Sequence, residues 1–317
     1  MAAESNVTVA ITSILIVHPD RKTQRLVHRI LGVTGYRVEL ADTIAQATAM
    51  LDSLRPRLVV TDAALDPAYA ELFDQARARG AEACMTLHGP PTADRVPQIL
   101  GLGAVTNLLV HAMPVLAEEL TITAHKLMLG DLFGVEKYLL WGTRLHETTL
   151  ERASQRMAIV AELEAELMRR GQSARTARMV RLVADELISN AIHNAPVDDA
   201  GVPYLADTAR DAELELEGRA RVRVRWGCDA RYVAVEVNDR FGSLDRDTAL
   251  ASLGKQAVRE VGGGAGLGVA MAYRSCDHLV FNLAPGRRTE VIALVDVRYP
   301  PSEQPPASSY NVFVEKT

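Results

Sequence analysis

The stretch that decides the reading of this chain is DELISNAIHN, residues 185–194. It sits in a longer run, 174–194, whose apolar residues recur at helical spacing. Glu186, Asn190 and Asn194 fall at i, i+4 and i+8, so they line one face. Leu182, Val183, Leu187, Ile188 and Ile192 are assigned to the opposite, core-facing side. Three polar side chains stacked on a mostly apolar helix have a plain reading, a solvated face. They also have a chemical one, because carboxylates and amides supply the oxygens that Mg²⁺ and a positioned water accept.

Downstream, a polar and acidic stretch over 196–217 separates this helix from two alternating strands, 220–226 and 232–238. The second strand ends in Asp239, followed by Arg240-Phe-Gly-Ser. An acid at a strand end before a glycine can accept from an exocyclic amine such as that of adenine, although turns of this composition are common. GGGAGLG, residues 262–268, then precedes a helical run near 265–275. Glycines there let backbone N–H groups approach a phosphate chain at a helix N-terminus; a flexible loop is the competing reading. Strands 278–283 and 289–297 close the pattern, and residues 299–317, rich in Pro and Ser up to 309, read as an extended tail.

Upstream lie a long helix over 151–170 closed by Gly171, a strand over 140–146 and a connector near 130–138. In that strand Leu140, Gly142, Arg144 and His146 fall on one face and Trp141, Thr143 and Leu145 on the other. Helices on one side and antiparallel strands on the other make residues 140–298 an α+β two-layer sandwich. Residues 129–150 serve as connector and first strand.

Taken in order, the three motifs resemble those of the GHKL ATPases, the superfamily of gyrase, heat-shock chaperone, histidine kinase and mismatch-repair ATPases. The resemblance covers roughly residues 140–297 and implies ATP and Mg²⁺ as ligands. It implies that Asn190 coordinates Mg²⁺, with Asn194 on the same face, and that Asp239 and Gly242 form the first glycine box and hold adenine. It further implies that Gly264, Gly266, Leu267 and Gly268 form the second, phosphate-cradling box, and that Thr289 lies near Asp239. Lys255 falls in the lid over 243–262, where it can reach a phosphate or remain solvated. The chain departs from the pattern at Phe241, where the family's first box has a glycine. Glu186, in place of the asparagine usual in histidine kinases, resembles the general base of ATP-hydrolysing members and of the serine kinases that inhibit sigma factors. His146, in LHETTL, resembles a phospho-acceptor box. Only 44 positions separate it from Asn190, too few for a dimerising hairpin plus the start of the ATPase domain, so a strand histidine accounts for it better.

Residues 1–128 alternate strand and helix: strands at 13–18, 36–40, 57–62, 82–88 and 104–110, helices at 20–33, 43–54, 68–79, 96–102 and 114–128. That is an α/β doubly wound pattern. It resembles a response-regulator receiver domain, with Asp62 at the position of the phospho-acceptor. The chemistry there needs an acidic pair after the first strand to hold Mg²⁺, and this chain has His18 and Pro19. The expectation is a degenerate pseudo-receiver used for protein interaction or dimerisation. His18, His88 and His111 could also gather around Asp62.

Composition narrows the function classes. The chain has 317 residues, 48% hydrophobic and 24% charged, with net charge −5. No Lys/Arg block builds a nucleic-acid face. The apolar run 7–17 is about half the length of a membrane span and lacks the flanks of a signal peptide. Cys84, Cys228 and Cys276 share no metal-ligand spacing and suit structural thiols in a reducing cytoplasm. The expectation is therefore a cytoplasmic signal-transduction protein with a protein partner, no nucleic acid and no membrane. It would act as a serine kinase or anti-sigma-type switch. The alternatives are a non-catalytic ATP-binding module and an atypical histidine kinase.

Overall fold

The computed structural model describes residues 12–62, 68–89, 107–110, 115–257, 267–298 and 309–315. The chain divides into two compact units, 1–86 with 117–131 and 87–116 with 132–317.

In the first unit, β1 (Ser13–Val17), β2 (Arg37–Ala41), β3 (Leu58–Asp62) and β4 (Ala83–His88) stand in the order β2-β1-β3-β4. β1 runs parallel to both neighbours, and all five of its residues are buried, as a strand covered on both faces requires. Helices α1 (Arg21–Gly32), α2 (Ile44–Leu54), α3 (Ala68–Ala78) and α4 (Ala117–Leu129) supply the cover. α1 begins where Asp20 accepts the Lys22 and Thr23 N–H groups, and it buries Val27, Ile30 and Leu31. The doubly wound pattern read from the sequence is the observed one. The boundary is corrected: the expected fifth strand, β5 (Asn107–Val110), belongs to the second unit, because all four of its residues pair there with a C-terminal strand. The helix expected over 96–102 lies outside the described residues.

The second unit contains β6 (Leu145–Leu150), α5 (Gln155–Arg169), α6 (Ala174–His193), β7 (Val222–Cys228) and β8 (Tyr232–Asp239). They are followed by α7 (Arg246–Ala257), α8 (Leu267–Arg274), β9 (His278–Ala284), β10 (Arg288–Asp296) and β11 (Ser309–Val314). Its strands stand in the order β5-β11-β9-β10-β8-β7-β6. All pairings are antiparallel except β11 with β9. One sheet face carries Val222, Val224, Val233, Val235, Val237, Phe281 and Ala293, packed on Ile159, Leu163, Val183, Leu187 and Ile188 of α5 and α6. α5 ends at Gly171, whose φ of 80° suits glycine. α6 starts on Ser173, whose hydroxyl accepts the Thr176 N–H at 3.0 Å.

Three expectations are corrected. Residues 140–144 are a turn, not a strand, because the Thr143 N–H closes back on the Leu140 carbonyl and Gly142 takes φ 84°. The strand is β6, and Trp141 is fully exposed. The tail is not loose: residues 309–314 form β11, buried between β5 and β9, with Tyr310, Val312 and Phe313 in the core. On α6, Leu182 is exposed; only Val183, Leu187, Ile188 and Ile192 of the predicted stripe are buried. Among the described residues no helix is long and apolar enough to cross a membrane.

Candidate functional site

The site is built around the polar face of α6. Glu186, Asn190 and Asn194 follow one another along it, and Asn194 donates from its Nδ2 to Asn190 Oδ1 at 2.9 Å. Glu186 Oε2 and Asn190 Nδ2 are buried without a hydrogen-bond partner among the described residues. Buried polar atoms left this way are costly unless something pairs them. Both face Gly268 in the first turn of α8: a Cβ there would sit 2.0 Å from Glu186 Oε2 and 3.8 Å from Asn190 Nδ2. A side chain at this position would require the Glu186 carboxylate to move aside.

The Asp239 turn completes the arrangement. Asp239 ends β8 and its Oδ1 accepts the N–H groups of Phe241 (2.8 Å) and Gly242 (3.0 Å). Burial raises the pKa of its carboxyl; donation by Gly242 and Phe241, and by Thr289 beside it, opposes that rise. Thr289 stands directly opposite Asp239 in the β10–β8 register. Gly242 has φ 59°, and a Cβ on it would lie 2.3 Å from the Ala284 carbonyl. Ser243 donates to the Ala195 carbonyl at 2.8 Å, tying this turn to the end of α6. The three sequence motifs thus meet pairwise: the first turn on the α6 end through Ser243, and the α8 start on the α6 face through Gly268.

Phe241, the departure from the glycine box, is buried, and the Arg219 guanidinium lies 5.0 Å from its ring centroid. Arg219 also donates to the carbonyls of Arg240, Phe241 and Gly286. Arg219, Ser243 and Arg210 were missed by sequence reasoning. Arg210 lies in the 196–217 stretch and donates to Ser189 Oγ at 3.0 Å, with Glu186 Oε2 at 3.6 Å. Such contacts carry no periodicity, so no sequence signal marks them.

The remaining candidates stand as follows. Lys255 falls within α7 and Leu267 opens α8, but neither side chain is described. Gly264 and Gly266 lie outside the described residues. Asp62 is the last residue of β3, its side chain likewise outside the description. His18 and His88 are buried, His18 Nδ1 accepting the Asp20 N–H at 3.0 Å, while His111 is not among the described residues. No group of three His, Cys, Asp or Glu among the described residues is arranged to hold a metal. His146 is a strand residue, stacked on Trp226 at 3.9 Å between ring centroids.

No family model and no curated protein matches the chain. Among solved structures it is similar to the chemotaxis protein CheY4 of Vibrio cholerae, at 20% identity over 37% of this chain and 98% of that one, with a TM-score of 0.31. It is similar to a response regulator receiver domain protein of Clostridium thermocellum, at 17% identity over 37% and 94%, TM-score 0.31. It is also similar to a two-component response regulator of Clostridium difficile, at 18% identity over 39% and 99%, TM-score 0.32.

Proposed function

We propose that the second unit binds ATP with Mg²⁺ and that the protein is a signalling switch, with the first unit as its protein-interaction module. The observation that carries this reading is the convergence on one face of α6: a carboxylate and an amide with buried atoms that lack a hydrogen bond among the described residues, met by the Gly268 backbone in the first turn of α8. That donor set suits a magnesium-bound polyphosphate. In this reading Asn190 ligates Mg²⁺, the Gly268 backbone approaches phosphate, and Asp239 accepts from the adenine amine. Phe241 under Arg219 fills the space that a second glycine would leave open.

Glu186 is the candidate general base for transfer to a serine hydroxyl of a partner protein. A second reading, nucleotide binding without transfer, is favoured by Arg210, whose cation lies 3.6 Å from that carboxylate and engages it as an ion-pair partner. In that case the nucleotide shifts the protein between two states of different partner affinity.

Calorimetry of the full chain with Mg²⁺ and ATP tests the site. Binding is expected, dependent on Mg²⁺ and abolished by Asn190→Ala or Asp239→Ala; wild-type protein that takes up no nucleotide would overturn the reading. Glu186→Ala separates the two forms of it. Binding persists in both, and any hydrolysis or transfer is lost only if Glu186 is a base.

A further inference from the structure

The 194–217 excursion between α6 and β7 is built to hold one arginine over the α6 face. It is pinned at its far end to the start of the α5 segment. The Ala153 N–H donates to the Leu214 carbonyl at 2.9 Å, the Leu216 N–H to Glu151 at 2.8 Å, and Ser154 Oγ to Glu213 at 2.9 Å. Midway, burial lowers the pKa of the His193 imidazole; the Leu205 backbone opposes the fall, and the Arg156 and Arg210 cations add to it. Between these anchors Arg210 reaches Ser189 and Glu186.

We propose that Arg210 is a specificity-determining residue of the nucleotide site, which reads the terminal phosphate and selects a nucleoside triphosphate over a diphosphate. This rests on the nucleotide reading above. The argument is one of charge. α6 carries two successive carboxylates, Asp185 and Glu186; Asp185 is already paired with Arg156 at 3.3 Å. Glu186 therefore meets an incoming phosphate as a bare negative charge unless Arg210 shields it. Arg210 holds Glu186 at 3.6 Å, beyond hydrogen-bond length, and its side chain is 56% exposed. Among the described residues its Nε and second terminal nitrogen have no hydrogen-bond acceptor, and a guanidinium matches phosphate oxygens bidentately. In this proposal a diphosphate, which lacks the terminal phosphoryl group, does not engage the Arg210 donors.

The test is calorimetry of the full chain with Mg²⁺ and either ATP or ADP, on wild type, Arg210→Ala, Arg210→Lys and Glu186→Gln, alone and combined. Wild type is expected to prefer ATP. Arg210→Ala should weaken ATP about tenfold or more and leave ADP nearly unchanged, with Arg210→Lys between, since lysine keeps the charge and loses the fork. In the Glu186→Gln background the loss from Arg210→Ala should shrink, because no carboxylate remains to be shielded. An equal loss for ATP and ADP would make Arg210 a structural anchor and overturn the proposal. Unchanged ATP affinity in Arg210→Ala would overturn it while leaving the nucleotide site standing. Binding of neither nucleotide by wild type would overturn both.

Discussion

On one face of the second unit's sheet, β7 and β8 present Val222, Val224, Val233, Val235 and Val237 to α5 and α6. On the other face the same two strands carry a half-buried Arg225 and a buried Glu236, and β10 buries Glu290. That second face is covered by residues 132–139, which include the 3₁₀ turn Val135–Tyr138. The cover is attached by its backbone. The Gly134 N–H donates to Glu290 at 2.9 Å and the Val135 N–H to Glu236 at 3.0 Å. Asn282 donates to the same Glu290 oxygen, and Arg288 sits 3.4 Å from the Phe133 ring centroid. One face is held by burial of area, which tolerates exchange of similar shapes; the other by charges that must all find partners. Residues of the site sit at the ends of these same strands, Asp239 three positions after Glu236 and Thr289 beside Glu290.

The largest expected effect comes from breaking the charged face. Glu236→Ala would take from Arg225 the carboxylate it donates to from Nε at 3.0 Å, leaving it Glu136 at 3.1 Å, and would leave the Val135 N–H without its acceptor. Burial pulls the Arg225 pKa down, while Glu236, and after it Glu136 and Glu290, raise it, so removing Glu236 takes away the largest contribution that opposes burial. A loss of about 3–5 kcal/mol in chemical denaturation is expected. Glu236→Met with Arg225→Met removes both charges together and should cost only about 1–3 kcal/mol, the remainder from the Val135 N–H. Equal losses in the single and double variants would show that this face does not depend on charge pairing.

This difference also explains how much was legible. The alternation of β7 and β8, the apolar stripe of α6, and the strand–helix order of the first unit were readable because burial on a regular element has a period. Arg225 and Glu236 have the same period, but polar side chains on an alternating strand carry the pattern of a solvent face; the connector, which has no period, covers them. β11 was misread for a related reason, as its strand follows a Pro-rich stretch that suggested a tail. In the candidate site, Glu186, Asn190, Asp239 and Gly242 were legible from motif and spacing. Arg219 and Arg210 were not, since their roles depend on loop carbonyls and on a chain excursion that no local rule fixes.

The next effect falls on the site end of the same strands. Gly242→Ala forces a side chain into left-handed backbone and against the Ala284 carbonyl at 2.3 Å, with the Arg287 and Arg288 N–H groups at 2.7 Å. Backbone cannot yield as a flexible side chain does, so a loss of about 1–3 kcal/mol is expected, with nucleotide affinity falling alongside. Unchanged stability would mean that the turn is free to reshape. Smaller again is Tyr310→Phe. The Tyr310 hydroxyl donates to the Ala249 carbonyl at 2.5 Å and lies 3.1 Å from Ser252 Oγ, so this hydroxyl ties β11 to α7. Loss of about 1 kcal/mol and faster hydrogen exchange in α7 are expected, with both sheet faces unaffected.

The smallest stability effect should carry the opposite sign. Asp239 is a buried acid like Glu236, but no cation pairs it among the described residues, and burial raises its pKa. A carboxyl whose pKa is raised on folding stabilises the protein below its unfolded value, and that stability is lost as pH rises through the raised folded value. At neutral pH, then, the ionised Asp239 is a net cost. Asp239→Asn keeps an oxygen to accept the Phe241 and Gly242 N–H groups and removes the charge, so its melting temperature should exceed that of wild type at neutral pH. The gap should close on acidification, as the wild-type carboxyl takes up its proton. The same substitution puts an amide N–H₂ where the second carboxylate oxygen stood, donor against donor for an adenine amine, so nucleotide affinity should collapse while the fold gains. A variant that is both less stable and still able to bind would place Asp239 with Glu236, as a structural charge whose proper partner is the protein itself.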